Sequence, residues 1–386
     1  MALFDLWKRD RDQILSKNIQ QVIAFAGDGK LKDGSTASME LREYLKNIPS
    51  EVLSKYAEQC LAESFPNSGL ALQDVVNEIG RRIGFKVTAG YYRGTSGQPG
   101  HDGLWTDDNG HSILVEVKTT DAYRIDLNRI ALYRRDLGKK DLVDLERSSM
   151  LVIVGRQDTG DLEAQIRGSK HAWDMRVISV EALLRMMKLK EEVEDPSIIE
   201  RIHNILVPRD FTRLDQIVEI AFAAVEDVKG DAPGDDEHDG DKQEKRFTPV
   251  SFHAECIKKI ESKLNISLIK QTRASYSSAD GKIALLCSIS RFHEREKRYW
   301  FAFHPYQDEF LCKAQESFVA YGCGTPDKLF LIPYQDFKPW LEYFNKTEKQ
   351  NRFYWHIKIS ESGKSLKMLG RRGTRNIDIG QYLLKR

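Results

Sequence analysis

The alternation of apolar and polar positions is sharpest between Ser112 and Thr120, where Ile113, Val115 and Val117 fall on one side of an extended segment. That period of two predicts a buried β-strand. Glu116 and Lys118 are two apart and project together from the opposite face. Upstream the spacing changes to that of a helix: Leu72, Val75, Val76, Ile79 and Ile83 form one stripe over 70–84, leading into a strand from Phe85 to Ala89. Downstream, Ile125, Leu127, Ile130, Leu132 and Tyr133 mark a helix, and Met150 to Val154 a short, wholly apolar strand. A helix from Leu162 to Trp173, a strand from Arg176 to Val180 and a helix from Glu181 to Leu189 follow. This order predicts an α/β sandwich around a mixed sheet.

Ahead of it, residues 1–67 read as helices: one carrying Ile14, Ile19, Val22, Ile23 and Phe25, one carrying Leu41, Tyr44 and Leu45, and one carrying Val52, Leu53, Tyr56 and Leu61. Beyond it, residues 191–225 read as a helical connector, with Ile198, Ile199, Ile202, Ile205 and Leu206 on a first helix and Leu214 to Phe222 on a second.

Asp107-Asp108-Asn109-Gly110 is a hairpin signal, with glycine available for a positive φ. A loop of Asp108-Asn109-Gly110 makes paired residue numbers sum to 218, which sets Asp102 opposite Glu116. Residues directly opposite share a face, so Asp102, Glu116 and Lys118 converge; a slip of one residue would send Asp102 to the other side. Charges on an otherwise apolar strand are costly to bury unless something uses them. Two carboxylates beside a lysine make a hard-oxygen site for Mg²⁺ or Mn²⁺. Such a cation activates water and neutralises phosphate charge, with the lysine adding a second positive group.

Asp102…Glu116-Val117-Lys118 resembles the D…(D/E)xK signature of the restriction-endonuclease-like, or PD-(D/E)xK, nucleases, over residues 68–185. One departure stands out: His101 rather than proline precedes the aspartate, and Pro99 lies three positions ahead of it. The resemblance implies a restriction-endonuclease-like sandwich with a mixed central sheet. It implies Asp102, Glu116 and the main-chain carbonyl of Val117 as ligands of Mg²⁺ (or Mn²⁺), with Lys118 assisting the water. Glu78, on the preceding helix, would add a ligand, and Gln165, Arg167 and His171 fall where such enzymes place phosphate-contacting groups. Arg93 opens a stretch containing Gly94, Gly97 and Gly100, where backbone can approach sugar and phosphate closely. The implied substrate is double-stranded DNA, and the implied setting bacterial restriction or anti-phage defence. Two other readings stand beside it: an effector nuclease subunit triggered by a partner protein of a defence complex, and a catalytically silent nucleic-acid-binding scaffold. A homodimer or larger homo-oligomer is open in each.

Composition changes this picture in two places. No run approaches the ~18 apolar residues of a membrane span, and the five cysteines include no CxxC pair, so the expectation is a reduced, cytoplasmic protein without a membrane or a structural zinc site. The net charge of +1 conceals an asymmetry. Residues 226–246 read as an acidic linker, with nine acids against three lysines over Glu226 to Lys245. From Arg246 onward there are 25 Lys+Arg and 14 Asp+Glu, or +11, whereas 1–225 carries 31 against 35, or −4. The expected organisation is a helical N-terminal extension (1–67), a nuclease core (68–190), the connector, the linker, and a separate basic α+β C-terminal domain (247–386) that binds the nucleic acid. There Ile283 to Ser290 and Tyr299 to Phe303 read as strands of one hairpin, Leu329 to Ile332 and Tyr354 to Ile359 as strands, and Phe337 to Phe344 as a helix. Its aromatics and Arg371-Arg372-Gly373-Thr374-Arg375 are the candidate contacts to bases and phosphates, with Lys364 and Lys367 beside them.

Overall fold

A computed structural model describes residues 2–63, 65–93, 100–119, 125–155, 160–207, 250–293, 296–349, 352–362 and 365–384. The helix expected over Leu214 to Phe222, the acidic linker and Lys364 lie outside these residues. The chain forms two compact units: the described residues to Val193 with those from Ser197 to Val207, and Glu194–Pro196 with the described residues from Val250 onward. Both are mixed α/β.

In the first unit, α1 (Ala2–Arg9), α2 (Arg11–Leu15), α3 (Ile19–Phe25), α4 (Thr36–Asn47), α5 (Ser50–Ala62) and α6 (Ser68–Ile83) precede a sheet. The single helix expected across Ile14 to Phe25 is two, because Asn18 starts α3 with a capping box: its carboxamide accepts from the Gln21 amide at 2.8 Å, and its own amide donates to the Gln21 side chain at 3.1 Å. The sheet runs in the order β1 (Lys86–Ala89), β2 (Gly103–Thr106), β3 (Ser112–Lys118), β4 (Ser148–Val154), β5 (Met175–Ser179). β1, β2 and β3 are antiparallel neighbours, whereas β3, β4 and β5 are parallel. The parallel crossovers are α7 (Leu127–Lys139) and α8 (Gly160–Arg167); α9 (Val180–Glu192) and α10 (Pro196–Leu206) follow. The helix expected to reach Trp173 stops at Arg167, where Gly168 follows and the Ser169 hydroxyl donates to the Ile166 carbonyl at 2.8 Å.

Helices cover both faces. Trp105, Ile113, Val115, Leu151 and Ile153 join the buried side chains of α1–α6 and α9 in one core, so the N-terminal helices share the sheet's own core. Leu114, Met150, Val152 and Val154 pack on the other face against Ile130 and Leu137 of α7 and Leu162 and Ile166 of α8. All seven residues of β4 are buried, as a central parallel strand demands.

The second unit sets the helix Val250–Leu264 against a sheet in the order β11 (Leu329–Pro333), β10 (Glu316–Cys323), β8 (Ile283–Ser290), β7 (Ser275–Ser277), β6 (Ile269–Lys270). A second sheet, β12 (Asn345–Lys349), β13 (Arg352–Ser362), β14 (Ser365–Met368) and β15 (Ile377–Asp378), is joined by β9 (Tyr299–Phe303) along β13. The hairpin expected between β8 and β9 is therefore a change of sheet, with the bridge His293–Arg298 as the isolated pairing between them. Its cause is packing: Tyr299, Phe301 and Phe303 leave β8 to fill the core between the sheets, against Tyr321, Phe330 and Ile357. The helix expected over Phe337 to Phe344 is a short α-helix, Tyr334–Phe337, that tightens into a 3₁₀ turn, Lys338–Tyr343, at Pro339, which has no amide hydrogen to give.

One polar knot ties α6 to the end of α4 and the start of α5. The buried Arg82 guanidinium donates to the carbonyls of Leu45 (2.9 Å) and Ile48 (2.6 Å), the Ser50 hydroxyl (2.8 Å) and Glu78 (3.2 Å). Arg82→Met takes one of the two cationic partners from buried Glu78 and strands two carbonyls in the interior, and it lowers unfolding free energy by about 3–5 kcal/mol. Denaturant unfolding measures this; a loss below about 1 kcal/mol would mean that water reaches those groups.

Candidate active site at the end of the hairpin

The β2–β3 turn is built by Asp107. Its amide donates to the His111 carbonyl at 3.0 Å, its carboxylate accepts from the His111 amide at 2.7 Å, and Gly110 takes φ 81° between them. The ladder then runs from Thr106↔Ser112 to Gly103↔Val115, each pair summing to 218, as the loop signal predicts. It ends one pair short of Asp102, where the bonding changes. The Asp102 amide donates to the Val115 carbonyl at 3.0 Å, and the Asp102 carboxylate takes the Val117 amide at 2.6 Å. Parity puts Asp102 on the face of Leu104 and Leu114, which is the face of Glu116 and Lys118. The three charged groups lie at the C-terminal end of β3, where ligands of open α/β sheets gather.

The backbone of Asp102 is gripped from α6 and β1. Its carbonyl accepts from the Gln73 side chain at 3.0 Å, the Asn77 side chain at 2.9 Å and the Gly90 amide at 3.0 Å. Only glycine fits at two of the close approaches. A Cβ on Gly90 would meet the His101 carbonyl oxygen at 1.9 Å, and one on Gly103 the Asn77 Oδ1 at 2.2 Å. Asn77 Oδ1 in turn accepts from Trp105 Nε1 at 2.9 Å, which fixes which end of the amide faces Asp102.

The Asp102 carboxyl is held away from its ordinary charge state. Burial, with the Glu116 charge second, pushes the Asp102 carboxyl up to about 7, against the Val117 amide and the Lys118 charge, which pull it down. Glu116 divides its two oxygens: Oε1 accepts from Lys118 Nζ at 2.6 Å, whereas Oε2 is buried with no hydrogen-bond partner among the described residues. A buried, unpartnered carboxylate oxygen beside a second carboxylate is the donor set a small hard cation satisfies. Among the described residues no group of three or more His, Cys, Asp or Glu gathers to hold a metal. The carboxylates that converge here are two, Asp102 and Glu116.

The remaining candidates fall elsewhere. Glu78 lies one residue past Asn77, about 100° around the helix, and its oxygens go to Arg81 at 2.9 Å and Arg82 at 3.2 Å, so it serves the knot rather than the hairpin. Gln165 brackets the backbone of Ile125, accepting its amide at 3.1 Å and donating to its carbonyl at 2.6 Å, and so fixes the chain where it returns toward α7. Arg167 is exposed and pairs loosely with Glu163 at 3.6 Å; His171 bonds Asn128 at 3.1 Å. Arg93 is exposed, and its amide and that of Tyr92 are anchored on Asp33 at 3.2 and 2.8 Å. Arg129, near the start of α7, lies within electrostatic reach of Glu116 and is a cation that the motif does not name.

In the second unit, Arg371 to Arg375 form a turn folded onto Tyr343. Its carbonyl accepts from the Arg371 amide at 2.7 Å and the Thr374 hydroxyl at 3.2 Å, and Arg375 lies 5.2 Å over its ring. Arg371, Arg372 and Arg375 are exposed and make no ion pair among the described residues. Among the described residues, no helix is long and apolar enough to cross a membrane.

No protein-family model and no curated protein matches the chain.

The raised Asp102 carboxyl fixes a sign. Between the ordinary carboxylate range and about pH 7 the folded protein keeps a proton that the unfolded chain has lost, so stability falls as pH rises through that window. Asp102→Asn removes the ionisation. In EDTA the variant gains stability over wild type at pH 8, on the order of 2 kcal/mol more than it gains at pH 5. Denaturant unfolding at the two pH values checks this, and an equal difference at both contradicts the carboxylate pairing.

Proposed function

We propose that the chain is a metal-dependent endonuclease of the restriction-endonuclease-like type, hydrolysing phosphodiester bonds in double-stranded DNA. The observation that carries this reading is the meeting of Asp102 and Glu116 beside Lys118 at the C-terminal end of β3, with Glu116 Oε2 left for a cation. The sheet order and the helices on both faces suit a restriction-endonuclease-like sandwich, and the hairpin register suits its D…(D/E)xK arrangement.

Asp102 and Glu116 would hold Mg²⁺ or Mn²⁺, with the Val117 carbonyl available beside them. When bound, the cation supplies Lewis-acid stabilisation of phosphate charge and a water of lowered pKa. Lys118 is placed to orient that water and to offset charge on the phosphate as it is attacked. The Val117 amide keeps the Asp102 carboxyl aimed toward Glu116. The Arg371–Arg375 turn supplies phosphate contacts in the basic second unit, where affinity and hydrolysis are separate tasks. A role in restriction or anti-phage defence rests on the family resemblance. A partner-triggered effector is the second reading, favoured by the Lys118–Glu116 bond, which in this arrangement occupies the catalytic lysine.

Incubation of the pure protein with methylated and unmethylated plasmid in Mg²⁺, Mn²⁺ or EDTA tests the proposal. Cutting should require the cation and disappear in Glu116→Gln and in Lys118→Ala, both still folded by circular dichroism. Cutting that survives in both variants moves the chemistry away from this hairpin. Wild type that cuts only after a cell extract is added selects the effector reading.

Duplex binding by the Glu116→Gln chain across a salt series tests the turn. Replacing Arg371, Arg372 and Arg375 with alanine should flatten the slope of log affinity against log salt by roughly 0.9 per lost phosphate contact. An unchanged slope would remove the turn from the interface.

A further inference from the structure

Gln73 and Asn77 stand out as buried side chains that the chemistry above does not use: they are 3% and 2% exposed, on a face of α6 beside its apolar stripe. Spaced i,i+4, they share one helical face, and both give their side-chain N–H to the same acceptor, the carbonyl of Asp102. A carbonyl has two lone pairs, and this one also receives the Gly90 amide, so it is supplied with more donors than it needs for satisfaction alone. Burying two primary amides is expensive, and apolar residues at these positions would serve both helix and core better. The outlay falls at the residue where the β2–β3 ladder has ended and where two like charges are held together. Without a restraint on its backbone, the Asp102 carboxyl would relieve that repulsion by swinging from Glu116.

We propose that Gln73 and Asn77 are positioning residues, which clamp the main chain of Asp102 so that its carboxyl stays against Glu116 and on the Val117 amide. The clamp acts at one remove from any ligand, as partners of metal-binding groups do, and removing such partners typically weakens metal affinity by about 10–100-fold. The α6 helix thus contributes to the site by its amides, while its glutamate, Glu78, serves the fold.

The proposal rests on the metal-site reading, so its test carries one measurement that needs no metal. Gln73→Met keeps length and volume and deletes the donor. Asn77→Asp deletes the donor while keeping the oxygen that accepts from Trp105. Calorimetric titration of the full chain with Mg²⁺ alone should give a dissociation constant raised about 10-fold or more in Gln73→Met, without loss of the cooperative unfolding transition. Amide hydrogen exchange in the metal-free protein should accelerate at Val117 at least about 10-fold relative to Ile113 and Val115 on the same strand, because the acceptor of Val117 is the clamped carboxylate. If wild type binds no Mg²⁺, the nuclease reading fails and the exchange measurement still decides the clamp. Unchanged exchange at Val117 in both variants overturns it, as does unchanged Mg²⁺ affinity in a wild type that binds. If Asn77→Asp does not fold, Gln73→Met alone supports or overturns the clamp by the same two measurements.

Discussion

Two carboxylates held on one face, at the edge of a core, set the terms for everything around them. Asp102 and Glu116 repel each other, and burial raises the cost of charging Asp102. A chain could avoid that by turning one side chain to solvent. Here the escape is closed by the backbone grip on Asp102 and by the Val117 amide on its carboxylate. The two glycines belong to the same arrangement, since Gly90 lets β1 approach the His101–Asp102 peptide and Gly103 lets Asn77 reach across. Each of these contacts costs helix propensity, side-chain entropy or conformational freedom. Their sum makes sense where an external charge completes the site.

Helix α6 divides its work by face. Gln73, Asn77 and Gly80 look toward the hairpin, with Gly80 giving room for the Trp105 ring. Asp74, Glu78 and Arg82 look toward the N-terminal helices, where Asp74 accepts from Arg42 at 2.8 Å and Arg82 closes the α4–α5 junction. The N-terminal helices therefore do more than flank the sheet. They anchor the helix that grips Asp102, and through Asp33 they also hold the stem at Tyr92 and Arg93.

How far the sequence was legible follows from which interactions are local. The hairpin register could be read because Asp107, Gly110 and a strict alternation act within a dozen residues. The central strand could be read because a wholly apolar run with parallel neighbours has few other uses. Glu78 misled because an i,i+1 shift on a helix changes the face by about 100°, and the deciding partners, Arg82 and Arg81, are basic residues that look solvent-facing in a one-dimensional pattern. Gln73 and Asn77 left a signal, two amides at i,i+4 beside an apolar stripe, but their target lies 29 and 25 positions away along the chain. The change of sheet after Ser290 was illegible for a related reason. Tyr299, Phe301 and Phe303 alternate equally well for a hairpin partner of β8 and for a strand of another sheet, and only the core they fill decides.

On the proposed reading, the charge asymmetry has a physical purpose. A carboxylate pair repels a phosphate until a divalent cation arrives, so the catalytic unit alone is poorly suited to gather DNA. Arginines free of carboxylate partners among the described residues, on a turn fixed by Tyr343, can supply that attraction. Arginines fixed on both oxygens of Asp102 and Glu116 would give each carboxylate a permanent partner and weaken its hold on a metal. Lys118 is tolerated there because it engages one oxygen of Glu116 and leaves the other. On that reading, metal binding by the acidic pair and phosphate binding by the basic turn are tasks of different compact units.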